Sequence, residues 1–289
     1  MVKIVVMISL LLAPFQLFSQ EFIIGLNERD IYRYKNEQGQ WAGKDIALIK
    51  AVFRRTPFKY RIVSMPWARV IKELEAGAID MTLAATALPE RKRYALFTKN
   101  NFRYSHHMLF VHKNRLDLFD SVNVLADLTE VNVLIAALRG AIFYESYPTL
   151  LQNKKFARRI VYISNDQEMS SFVLKGRADG YIESEMEGKH YLLSRPEFSK
   201  NIVPLFRITT DEDAGSKLMF CKERVSPTQV DIFDSALKAL HESGEYEKIS
   251  KLFKRKNLDL SKAKSSIIFD EDCLMGEKIT LQSKNNCIV

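Results

Sequence analysis

The sequence predicts an α/β protein whose chain builds two sheets in turn. Strand-like apolar runs alternate with helix-patterned segments from residue 22 to 84, the alternation restarts at 131 and continues to 193, and the apolar run 108–111, flanked by His107 and His112, is suited to leaving one sheet and entering another. Strands that alternate with helices imply a mainly parallel sheet wrapped by helices. With 289 residues, 47% apolar and 27% charged, the chain is long enough for two cores or one large one.

The elements follow in order. Residues 22–25 read as a buried strand ending in a turn, and a polar loop leads to Trp41, Ala42 and Gly43. From Lys44, Ile46, Ile49, Val52 and Phe53 recur at helical spacing until Pro57 stops the pattern. Residues 60–63 form a second strand, 68–76 a second helix with Val70, Ile71 and Leu74 inward and Gly77 past its end, and 78–84 a third strand. In the second set, 131–137, 160–163 and 178–182 read as strands, and 141–151, 168–175 and 185–193 as helices. The strand 217–221 follows, then a helix with Ser226 as N-cap, Pro227 at its first position and Val230, Phe233, Leu237 and Leu240 on one face. Ser243 and Gly244 close it, and Tyr246, Ile249, Leu252 and Phe253 mark a short terminal helix. Beyond Lys254 the tail is rich in Lys, Ser and Asn, and no fold is assigned to it.

Composition excludes several classes of function. The net charge of +8 does not form a basic stripe, because basic residues sit beside acidic ones, as in Lys72-Glu73 and Glu90-Arg91. That charge reads as a solvated surface with no nucleic-acid partner. Cys221, Cys273 and Cys287 have no close-spaced pair and no histidine cluster, so neither a metal site nor a cofactor is expected. Adjacent His106 and His107 point to opposite faces of a strand and do not share one ion. In an oxidising compartment Cys273 and Cys287 could pair, leaving Cys221 as a small buried hydrophobe. Residues 1–20 carry one positive charge at Lys3, an apolar run from Ile4 to Leu12, Pro14 and Ser19. They read as a secretory signal peptide, with an uncleaved N-terminal anchor as the alternative.

Four signatures, in order along the chain, resemble the family 3 extracellular solute-binding proteins, the polar amino-acid receptors of ABC importers. They are Gly43-Lys44-Asp45-Ile46; Trp67-Ala68-Arg69 followed by Leu74, Gly77 and Asp80; Thr86 to Arg91 leading to Phe97-Thr98; and Leu240 to Tyr246 with Ile249. The resemblance spans about 22 to 253. It implies the periplasmic-binding-protein type II fold: two lobes, each a mainly parallel sheet flanked by helices, joined by two crossover strands. Lobe 1 is then 21–110 plus 205–253 and lobe 2 is 111–204, with 254–289 as a tail.

The resemblance also implies a site in the cleft between the lobes. A ligand carboxylate needs a fork of fixed donors, which arginine's planar guanidinium provides. Arg91, six residues before Phe97, stands where the family's carboxylate-binding arginine does, and Thr86 matches its hydroxyl donor. Arg93 is the alternative arginine, and a helix-surface charge the plainer reading of both. Trp67, after Pro66 and before a helix, supplies either an aromatic wall to the cleft or a seal to the lobe core. Asp45 reads as capping or orienting the first helix. Asn27 takes the place of an acid common in the family's first loop, and Tyr32 or Tyr34 substitutes for an aromatic there.

Lobe 2 departs from the pattern. Arg139-Gly140-Ala141-Ile142-Phe143 keeps backbone donors at Gly140 and Ala141 but lacks the family's hydroxyl residues. The acid that pairs with an α-ammonium is expected five residues after Asp179, a position held by Ser184 between Glu183 and Glu185, so either Glu takes the role by a one-residue shift.

The resemblance implies a monomeric periplasmic binding protein that closes over a small polar ligand, an amino acid or related carboxylate, for an inner-membrane ABC permease. The chain has no phosphate loop of its own. The alternatives are a ligand-sensing module for a signalling receptor, or a cyclohexadienyl-dehydratase-like enzyme on the same fold, with Glu183 or Glu185 as its acid.

Overall fold

The computed structural model describes residues 20–259 apart from 211–213. The expected signal peptide, the tail and the Cys273–Cys287 pair lie outside the described residues.

The chain begins with β1 (Glu21–Leu26), in which Phe22, Ile24 and Leu26 are fully buried. A loop carrying the small hairpin β2 (Tyr34–Lys35) and β3 (Trp41–Ala42) leads into α1 (Lys44–Phe53). Then come β4 (Lys59–Ser64), α2 (Trp67–Glu75), β5 (Met81–Ala85), β6 (Ala95–Phe97) and β7 (Arg103–Tyr104). The second set is β8 (His107–His112), β9 (Ile135–Leu138), α3 (Tyr147–Gln152), α4 (Lys154–Ala157), β10 (Ile160–Ile163), α5 (Asp166–Leu174), β11 (Gly180–Ser184), α6 (Glu185–Ser194), α7 (Pro196–Asn201) and β12 (Ile202–Arg207). The chain then returns through β13 (Gly215–Cys221) to α8 (Pro227–Glu242) and α9 (Glu245–Asp259).

Two sheets result. The first runs β4-β1-β5-β13-β6, with β7 on β13, and the second runs β10-β9-β11-β8-β12. In each, three strands from successive β/α units pair in parallel, and the remaining strands pair antiparallel. The second sheet takes β8 and β12 whole, so the two crossings fall between β7 and β8 and between β12 and β13. That is a few residues outside the expected 110/111 and 204/205 divisions. The reason is that β8 pairs with β11 from His107 onward, along its full length.

Packing follows the apolar pattern. Phe22, Phe53, Phe58, Phe220 and Phe233 form an aromatic cluster in lobe 1, with Phe22 5.1 Å from Phe233. The α8 terminus is held by a capping box: Ser226 Oγ accepts from the Gln229 N–H at 3.3 Å, and Gln229 Oε1 from the Ser226 N–H at 2.8 Å. Cys221 is buried, as expected.

The expected helix over 141–151 is not observed. Helix begins only at Tyr147, with Pro148 in its first turn, and 141–143 is irregular backbone. The main chain there reaches across to lobe 1, where the Thr86 hydroxyl donates to the Ile142 carbonyl at 3.1 Å. A helix would have consumed that carbonyl internally.

Candidate ligand-binding cleft

The loop after β1 is the first wall of the cleft. It is pinned to the start of α1 because the Lys44 and Asp45 N–H groups donate to the Ile31 and Tyr32 carbonyls at 2.9 and 2.8 Å. Gly43 makes this approach possible: its φ is 110°, and a Cβ there would lie 2.5 Å from Tyr32 backbone atoms. Ile31 is held at φ 59° and Ala84, on β5, at φ 56°, both rare for residues with a Cβ.

Between the lobes lies a cavity of about 60 Å³. Lobe 1 contributes Asn27, Arg29, Arg33, Trp67, Ala84, Thr86, Arg91 and Arg103 to its lining, and lobe 2 contributes His107, Leu138, Ala141, Ile142 and Phe143. Arg91 is buried and donates through Nη1 to the Thr86 carbonyl and through Nη2 to the Gly140 carbonyl, both at 3.2 Å. Trp67 Nε1 donates to the same Gly140 carbonyl at 3.0 Å. Gly140 has φ 78°, and a Cβ would stand 3.3 Å from the Ala68 Cα, so glycine is needed where the lobes touch.

Two further arginines share one acid. Asp45, fully buried, receives Arg33 Nη1 at 2.7 Å and pairs with Arg103 Nε at 3.0 Å. It therefore orients cavity arginines and makes no side-chain cap on α1. The Arg103 guanidinium stacks 4.0 Å over the Tyr32 ring, and Tyr32 in turn bonds Ser105 Oγ at 3.0 Å. Arg103 Nη1 is buried and finds no hydrogen-bond partner among the described residues.

Arg29 crosses the cleft. Its Nη2 donates to Glu183 on β11 and Glu187 on α6, and its Nε lies 3.8 Å from Asp166 at the start of α5. Asn27 Nδ2 donates to the other Asp166 oxygen at 2.6 Å. All four charged groups are buried. Burial works against the Arg29 charge, but Glu187, Glu183 and Asp166 outweigh it and hold the guanidinium charged. Burial pushes the Glu187 carboxyl well above the usual carboxylate range despite Arg29, and Glu183 and Asp166 push it further. The crowding of three carboxyls around one guanidinium, away from water, is the cause of that upward shift, and the Glu183 carboxyl is raised with it.

The expected site residues separate accordingly. Arg91, Thr86, Trp67, Asn27 and Ala141 line the cavity, and Gly140 bridges its edge. Tyr32 lies behind Arg103 as a support. Glu183 faces the cleft but is engaged by Arg29. Glu185 is a correction: it is bonded to Lys189 at 2.6 Å and Arg207 at 2.7 Å and is not in the cavity lining, because β11 ends at Ser184 and Glu185 opens α6, where the strand alternation no longer holds. Arg93 is exposed. Arg29, Arg33, Arg103, Asp166 and Glu187 were not anticipated. Glu183 and Glu187 at i, i+4 were a legible pair, whereas Arg103 had no local signal.

Two α/β lobes joined by two crossings, with arginines of lobe 1 and a largely apolar wall of lobe 2 meeting at a cavity between them, define a solute-binding protein. The chain belongs to the bacterial extracellular solute-binding proteins, family 3, whose model matches residues 23–255. It is 24% identical over 225 residues to the arginine-binding extracellular protein ArtP of Bacillus subtilis (strain 168), a match covering 76% of this chain and 80% of that protein. Among solved structures it is similar to the amino acid ABC transporter substrate-binding protein AbpA of Streptococcus pneumoniae Canada MDR_19A bound to L-arginine. The TM-score is 0.64 at 21% identity, covering 81% of this chain and 94% of that one. It is also similar to a histidine kinase sensor domain that resembles periplasmic binding proteins, with TM-score 0.63 at 17% identity, covering 81% and 96%. These structural likenesses establish the type II periplasmic-binding-protein fold. Among the described residues no helix is long and apolar enough to cross a membrane.

Proposed function

We propose that the chain captures a small carboxylate-bearing solute, an amino acid or a related acid, between its lobes in the periplasm and presents the closed form to an inner-membrane ABC permease. The observation that carries this reading is the Arg91 fork, buried at the line where lobe 1 meets Gly140 of lobe 2. A carboxylate placed there gains charge-assisted bonds in exchange for bonds to neutral carbonyls, and it touches both lobes, so it favours closure. Binding is supported over catalysis by the fate of the two candidate acids: Glu183 is held by Arg29, and Glu185 faces away from the cleft. The likeness to a sensor domain supports a second reading, in which the same closure signals to a receptor kinase.

The test is a thermal-shift screen of the purified protein against L-amino acids and small mono- and dicarboxylates, since a solute that binds only the folded form raises the melting temperature. Arg91→Ala should abolish the shift while melting close to the wild type, because it removes a fork of donors and little apolar core. An undiminished shift in that variant would sink the assignment of Arg91.

A further inference from the structure

We propose that this cleft selects acids that lack an ammonium group, small dicarboxylates above all, because Arg29 already fills the acidic pocket of lobe 2 that a ligand ammonium would need. The inference rests on the carboxylate-capture reading and deepens it to a ligand class.

The cavity wall carries four arginines, at 29, 33, 91 and 103, and among the described residues no carboxylate. None of the acids near the cleft is in the cavity lining, although Glu183 Oε2 and Glu187 Oε1 are buried without a hydrogen-bond partner among the described residues. Asp45 serves both Arg33 and Arg103. Glu183 and Glu187 receive the Arg29 guanidinium, and Asp166 is held by Asn27 and faces the Arg29 Nε. An incoming ammonium therefore meets no carboxylate in the cavity wall itself, and burying it beside guanidinium groups is costly. An incoming acid is matched at two places. Arg91 forms no ion pair among the described residues, lines the cavity and has only neutral carbonyls as its hydrogen-bonded partners there. Arg103 Nη1, also lining the cavity, is buried without a hydrogen-bond partner, and a second carboxylate supplies the missing acceptor. One carboxylate, Asp45, serves two guanidinium groups, so the Arg33–Arg103 part of the lining keeps a positive excess. Arg29 thus acts as a built-in counterpart of the cationic head that an amino acid would bring, and it sets specificity without touching the carboxylate end.

Calorimetric titration of the wild-type protein with matched pairs tests this: succinate with L-aspartate, glutarate with L-glutamate, and L-lactate with L-alanine, with L-arginine as the cationic probe. The expected result is that within each binding pair the acid without an amino group binds at least about tenfold more tightly, and that L-arginine gives no heat of binding. In Arg29→Ala the preference should narrow or reverse, as the vacated acids accept an ammonium. Equal or tighter binding of the amino acids, or of L-arginine, by the wild type overturns the proposal and leaves carboxylate capture standing. Absence of binding by every probe overturns both. The wild-type comparison decides the matter even where Arg29→Ala, with three buried acids left without their guanidinium, does not fold.

Discussion

His107 carries two messages from one position. Its ring lines the cavity against Phe143, with ring centres 5.2 Å apart, and burial, reinforced by Arg29 and Arg103, pushes its imidazole down to about 3. It is therefore a neutral wall of the site at neutral pH. In the unfolded chain the same ring titrates near 6.5, so as pH falls the unfolded state takes up the proton first. Its effect on stability is nil above about pH 7, and stability is lost progressively as pH falls from about 6.5 toward about 3. His107→Gln should accordingly show a smaller drop in melting temperature between about pH 7.5 and about pH 5 than the wild type. An unchanged drop would mean that the imidazole titrates alike in both states.

At the level of elements, local signals were sufficient wherever an element closed on its own neighbours. The α8 capping box is an example: Ser226, Pro227 and Gln229 lie within four positions and bond one another. Ser226→Ala should cost about 1 kcal/mol, seen as a lower urea midpoint at unchanged slope. A change in slope instead would point to an altered denatured state or loss of two-state unfolding. The misplaced helix at 141–151 shows the opposite case. Ala141, Ile142 and Phe143 are apolar enough for a helix, yet Ile142 spends its carbonyl on Thr86 of the other lobe, a partner that lies 56 residues away. The strands β6, β7 and β12 were not anticipated either, since their pairing partners lie far off in sequence.

Across the whole molecule, the closed arrangement is held by a few bonds that span the cleft, among them Trp67 Nε1 to the Gly140 carbonyl and Arg29 to Glu183 and Glu187. An apolar cluster joins the lobes as well, running from Trp67 and Val70 of α2 to Leu138 and Met169. Trp67→Phe keeps an aromatic ring and deletes the inter-lobe hydrogen bond. It should weaken capture of whichever acid the screen finds by about fivefold, near 1 kcal/mol, with little change in melting temperature. Lost stability with unaltered affinity would make Trp67 a seal of the lobe core and no part of closure.

The α/β class, the order of the first-set elements, and the cleft positions of Arg91, Thr86, Trp67 and Asn27 were legible along the chain, because periodicity, caps and short motifs are encoded by neighbouring residues. The charge logic of the site was not. Arg29 meets Glu183 and Glu187 across 154 and 158 residues, and Arg103 on β7 meets Asp45 on α1. In the linear sequence these are scattered ions among many others. Folding desolvates them together in one cleft, where each charge must find a counterpart or be neutralised, and the acids that pair with these arginines lie outside the cavity lining, which leaves its wall cationic.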